Sequence, residues 1–173
     1  MDFFVVPTAT FRRLFVLVIL SHERRRVVHF SVTKAPTAQW IAQQLRETFP
    51  FETAPSYLIR DRDGIYGEVV RRCLASLNIE EVVTAPRSPW QNAYVERLIG
   101  SIRRELLDHV IVWNEGHLRR LLAAYLEYYH RARPHMGLDQ NAPEPRTVEP
   151  LELGRVIAEP MVSGLYHRYR RSV

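Results

Sequence analysis

The sequence predicts an α/β layered domain, a mixed five-stranded sheet flanked by helices. Three observations lead there. The first third alternates β-branched apolar runs with turn signals. Helical periodicities then alternate with short apolar runs up to residue 83. A breaker, Pro86-Arg87-Ser88-Pro89, then leads into two long amphipathic patterns. With 173 residues, 46% apolar and 25% charged, the chain has the size and mix of one domain with a real core.

The elements follow in order. Asp2 to Val6 is an apolar run ended by Pro7, Arg13 to Ser21 a longer one, and Arg26 to Val32 a third; together they read as an antiparallel meander. The Arg24–Arg26 cluster between the last two reads as a solvated hairpin tip. Thr37 caps a helix running to about Phe49, with Trp40, Ile41, Leu45 and Phe49 on one stripe. Ser56 to Ile59 is a short strand, Ile65 to Leu77 a second helix, and Ile79 to Val83 a fifth strand. Ser88, Pro89 and Gln91 form a capping-box pattern that opens a long helix. Its stripe is Val95, Leu98, Ile99, Ile102 and Leu106. Another helix spans Gly116 to His130, with Tyr125, Leu126 and Tyr129 as core. Residues 1–140 form the expected core domain. Residues 141–173 are a proline-containing linker and a basic tail, where His167 to Arg171 mix tyrosine with arginine. That tail could hold phosphate and stack on bases, or be a frayed end.

Twenty-three arginines and one lysine, Lys34, give a net charge of +5 and favour polyanionic partners. No apolar run approaches the ~18–20 residues of a membrane span. A lone cysteine, Cys73, excludes a disulfide framework. A reducing, cytoplasmic setting is expected, without a membrane. The histidines lack cysteine-paired zinc spacing.

Three carboxylates stand at informative places. Asp2 lies on the first strand, Asp61 at the end of the fourth, and Glu96 on the long helix, 35 positions after Asp61. Gathered together, three acids would repel one another and raise each other's pKa. A hard divalent cation removes that penalty, and two cations could clamp the attacking and leaving oxygens of a phosphodiester. Singly, each acid has a plain reading as an end, turn or ion-pair residue.

The segments around the acids carry a resemblance. Asp61-Arg62-Asp63-Gly64-Ile65-Tyr66 resembles the second-aspartate motif of DDE transposases and retroviral-type integrases. Pro86-Arg87-Ser88-Pro89-Trp90-Gln91-Asn92-Ala93-Tyr94-Val95-Glu96-Arg97 is similar to the third motif of that family. Tyr129-His130-Arg131-Ala132-Arg133-Pro134-His135-Met136-Gly137-Leu138 is similar to its post-catalytic signature, with His130 where asparagine is usual. The resemblance implies a ribonuclease H-like fold with a short C-terminal extension. It implies Mg²⁺ (or Mn²⁺), two ions with DNA bound, held by Asp2, Asp61 and Glu96 as the catalytic triad, with Asp63 a rival for the middle place. The activity implied is metal-dependent DNA strand cleavage and strand transfer, on element ends and target DNA, by a homo-oligomer associated with the nucleoid. An N-terminal DNA-binding module usual in the family is absent from these residues. The alternative is a truncated, non-catalytic DNA-binding relic.

Helical spacing puts Asn92, Glu96, Gly100 and Arg103 on one face. There Arg103 could reach a DNA phosphate while Gly100 admits a close strand. Arg87 and Trp90 complete the expected DNA-binding set. Trp90 either stacks on a base or packs under its loop.

Overall fold

The computed structural model describes residues 1–50 and 54–172. Strand β1 (Asp2–Pro7), strand β2 (Arg13–Ser21) and strand β3 (Arg26–Thr33) form an antiparallel sheet in the order β1-β2-β3. Asp2 pairs with Val18 and Phe15 with Thr33, and a bulge interrupts the second ladder between Ile19 and Leu20. Strand β4 (Tyr57–Arg60) and strand β5 (Glu80–Val83) form a parallel pair. The five predicted strands therefore fall into two hydrogen-bonded sets, of three strands and of two. What bridges β1 to β4 is a 2.6 Å bond from the Met1 nitrogen to the Ile59 carbonyl. Just beyond it, the Phe3 N–H turns to the Asp2 carboxylate.

The unbroken apolar run of β2 has a physical reason: both of its faces are covered. Leu14, Val16 and Val18 enter one core with helix α3 (Ala93–Glu105) and helix α4 (Glu115–Arg131). Leu17 and Ile19 enter the other, with helix α1 (Ala38–Thr48) and helix α2 (Glu68–Ser76). Thr37 caps α1 as expected, its hydroxyl accepting from Trp40 N at 3.1 Å. Tyr125, Leu126 and Tyr129 lie in the first core.

Three features depart from expectation. The expected second helix is split: a 3-10 turn over Gly64–Tyr66 precedes α2. The Ser88 capping box does not form, because Gln91 Oε1 takes Ala85 N at 2.6 Å and Ser88 makes no cap bond. The segment Pro89–Asn92 is a 3-10 turn, and α3 begins at Ala93. Lastly, the basic tail is ordered. Strand β6 (Arg155–Met161) and strand β7 (Tyr166–Ser172) form an antiparallel hairpin. Tyr166 stacks on Tyr128 at 4.4 Å and donates to the Glu105 carbonyl at 2.9 Å, anchoring the hairpin on the helical layer. No described helix is long and apolar enough to cross a membrane.

Candidate active site

Asp2 opens β1, Asp61 follows β4 directly, and Glu96 sits in the first turn of α3. The Met1–Ile59 bond draws the first two together, and α3 packs against β1 and β2. Burial pushes the Asp2 carboxyl up from its ordinary 3.8 to about 6. The bond from Phe3 N opposes that rise, and the negative charges of Asp61 and Glu96 add to it. The three acids thus stand within electrostatic reach. They do not close into a ligating set: among the described residues no three His, Cys, Asp or Glu side chains are placed to hold a metal ion.

The rival aspartates have different local duties. Asp63 Oδ1 caps the 3-10 turn, accepting from Ile65 N at 3.0 Å. Asp61 Oδ1 accepts a longer 3.3 Å bond from Asp63 N. Asp61 is held through its backbone by a residue that sequence reasoning passed over. Alternation along β4 turns Arg60 inward beside Leu58, and Arg60 is 6% exposed. Its Nη1 donates to the Asp61 carbonyl at 2.6 Å and its Nε to Glu81 Oε1 at 2.7 Å. Its guanidinium lies 5.0 Å from the centre of the Tyr66 ring. A charge at an inward strand position was the available signal, since it demands a partner on the next strand. The Tyr66 hydroxyl is buried without a hydrogen-bond partner among the described residues. Burial raises its pKa, and Asp61, Asp2 and Asp63 raise it further.

Asn92 departs from the expected shared face. The 3-10 turn breaks the spacing of four, so Asn92 is buried while Glu96 and Arg103 on α3 are exposed. Asn92 is 4% exposed, and neither its Oδ1 nor its Nδ2 has a partner among the described residues. Trp90 is 70% exposed, so it does not pack under its loop. Arg87 is exposed too, at a backbone φ of 58°. A Cβ at Gly100 would meet the movable Arg104 guanidinium at 3.1 Å.

The Arg24–Arg26 cluster is a clamp rather than a solvated tip. Arg24 Nε donates to the Pro143 carbonyl at 2.7 Å, and Arg25 lies 5.4 Å from the centre of the Tyr94 ring. A Cβ on Gly137 would fall 2.1 Å from the end of the flexible Arg25 side chain, which would have to move aside. His22 lies 5.1 Å from the same Tyr94 ring. The signature Tyr129 to Leu138 has a structural use as well. His135 packs edge-on against Tyr129 at 4.6 Å, and Arg133 grips Glu105 at the end of α3.

Comparison with known proteins agrees with this architecture. Residues 77–143 match the integrase core domain family. An uncharacterised 39.2 kDa protein of insertion element IS476 from Xanthomonas euvesicatoria is 24% identical over 147 residues, covering 83% of this chain and 42% of its own. An uncharacterised 31.7 kDa protein of insertion element IS407 from Burkholderia multivorans is 26% identical over 146 residues, covering 82% and 52%. The chain thus spans about half the length of these curated relatives, or less. In structure, a chain of the simian T-cell lymphotropic virus intasome, solved with PP2A regulatory subunit B56 gamma, superposes with a TM-score of 0.68 and 16% identity. It covers 97% of this chain and 64% of its own. The catalytic core domain of BIV integrase superposes at 0.58 and 16% identity, covering 82% and 88%. Segment and fold agree: residues 77–143 match the integrase core domain family, and the fold is the ribonuclease H-like one of the superposed integrase catalytic cores.

Proposed function

We propose that the chain is the catalytic core of a DNA transposase or integrase that cleaves DNA strands and transfers them to a target. The observation that carries this reading is the match of residues 77–143, Glu96 among them, to the integrase core domain family. Asp2, Asp61 and Glu96 offer only hard oxygen donors, and Asn92 keeps a buried amide oxygen unspent nearby in sequence. That donor chemistry fits Mg²⁺ or Mn²⁺. Bound ions, two with DNA present, would activate the attacking oxygen and stabilise the leaving one.

The remaining work falls to the chain itself. Arg60 holds the Asp61 backbone still from within the fold. Arg103 and Arg87 are exposed to take phosphates, Gly100 keeps the helix face low, and Trp90 offers a base an open ring. The partners are element ends and target DNA, acted on by a homo-oligomer in the bacterial cytoplasm near the nucleoid. The relatives' link to insertion elements supports a mobile-DNA role.

Glu96→Gln tests this. The substitution is expected to abolish Mg²⁺-dependent nicking of DNA and the Mg²⁺-induced rise in melting temperature, while DNA affinity stays within about twofold. Unchanged nicking by the folded variant would sink the assignment. The second reading, a non-catalytic relic, is favoured by the lack of a gathered ligand set among the described residues. It predicts DNA binding with no Mg²⁺ response in the unsubstituted chain.

A further inference from the structure

Away from the acids, residues 139–149 and the β6–β7 hairpin enclose a cleft of about 640 Å³. Arg131, Arg146, Arg168, Arg170 and Arg171 line it, with the Tyr169 ring among them. Three acids also line it, and two are engaged by neighbours. Glu144 takes Arg131 at 3.1 Å, and Glu149 accepts from the Arg171 backbone N–H. Asp139 makes no side-chain bond among the described residues. Across the hairpin, Glu159 stands opposite Arg168 but pairs with Arg170. The guanidinium groups of Arg146 and Arg168 are therefore left without a protein acceptor among the described residues. Tyr169 is 66% exposed, with His167 6.4 Å away.

The walls are preformed. One is tied to the helical layer by Tyr166, and Arg171 Nη1 braces the hairpin by donating to the Gly154 carbonyl at 2.9 Å. A fork of unpaired guanidinium groups matches phosphate oxygens, and an exposed flat ring gives a base a stacking surface. An open cleft suits a polymer running through it. We propose that this cleft binds the sugar-phosphate backbone of DNA, at a site separate from the acid trio. The proposal rests on the reading of the chain as a DNA-acting protein.

The test is fluorescence anisotropy on the full chain without metal, using duplex and single-stranded oligonucleotides between 50 and 200 mM salt. In the Arg146→Ala/Arg168→Ala double variant, duplex affinity should fall about tenfold. The slope of log affinity against log salt should shrink by about two, one for each lost phosphate contact. Melting temperature should hold, since neither guanidinium group serves the fold. Tyr169→Ala should weaken single-stranded binding about tenfold and duplex binding less. Inorganic phosphate should compete only weakly, because an ion lacks the second contact and the stacked base. Unchanged affinity and slope in the double variant overturns the cleft assignment and leaves the acid site untouched. So does saturation by inorganic phosphate with DNA binding intact. If the unsubstituted chain fails to bind DNA at all, the DNA-acting reading beneath it falls instead.

Discussion

The two ends of α3 each carry a glutamate and treat it oppositely. At the C-terminal end, Glu105 is saturated: Arg133 grips both its oxygens, with Nε to Oε2 at 2.8 Å and Nη2 to Oε1 at 2.5 Å, and the Tyr125 hydroxyl adds a bond at 2.8 Å. Burial would raise its pKa, but the Arg133 and Tyr125 hydrogen bonds overcome that and hold it below the usual range. At the N-terminal end, Glu96 is exposed, and Asn92 before it is buried with both amide atoms unpartnered. A fold that satisfies one end so fully and leaves the other open has separated two tasks. The Glu105 end fastens α4, the post-helix signature and the tail hairpin. The Glu96 end keeps its polar groups in reserve, and unspent buried polarity is costly unless a ligand uses it.

The largest effect is expected where bonds are made. Arg133→Ala leaves Glu105 partly buried with one neutral partner. Full burial of such a pair would make the loss about 3–5 kcal/mol, and the remaining exposure of both side chains trims that to about 2 kcal/mol. Urea unfolding should show this as a lower midpoint at constant slope. Arg133→Lys should not restore it, because one ammonium cannot reproduce a two-pronged grip. Glu96→Gln, in contrast, should move stability by less than about 0.5 kcal/mol. Equal losses at both ends would erase the distinction.

A smaller effect of opposite sign is expected at Asn92. Replacing it with leucine removes two unpartnered buried polar atoms at similar volume. Metal-free stability should rise by about 1 kcal/mol while DNA processing falls. A drop in stability in the same unfolding assay would show that the amide serves the fold, and the N-terminal end would then no longer be a reserve.

The same contrast governs what could be read beforehand. The β2 run, the Thr37 cap and the α4 core faces were legible because apolar pattern and local capping determine them. The start of α3 was not. Ser88 and Gln91 fit a capping box, yet Gln91 bonds Ala85 instead, and the outcome depends on a loop whose path the local pattern does not encode. The tail hairpin was hidden because β7 mixes arginine and tyrosine rather than alternating apolar and polar residues, and β6 carries a proline; its anchors, Tyr128 and the Glu105 carbonyl, are remote in sequence. The acids themselves were singled out by motif context. Their state was not, since it depends on burial and on neighbours from three separate elements.

The pH response of Asp2 is expected to be opposite in sign to that of Glu105. Glu105 has a folded pKa below its unfolded value, so its contribution is present above about 4.5 and is lost as pH falls through the folded value. Asp2 has a folded pKa raised from 3.8 to about 6, so the folded chain holds its proton more tightly than the unfolded chain does. Its contribution is present below 3.8 and is lost as pH rises through about 6. Asp2→Asn keeps the oxygen that accepts from Phe3 N and removes the charge. The metal-free variant should match the parent near pH 3.5 and exceed it by up to about 1 kcal/mol at pH 7, a figure already reduced for the partial exposure of the carboxyl. Millimolar Mg²⁺ should narrow that gap by stabilising the parent and not the variant. A difference that stays flat across this range would mean that neither burial nor the neighbouring acids raise the Asp2 pKa, and the two ends of α3 would then differ only in how many bonds they make.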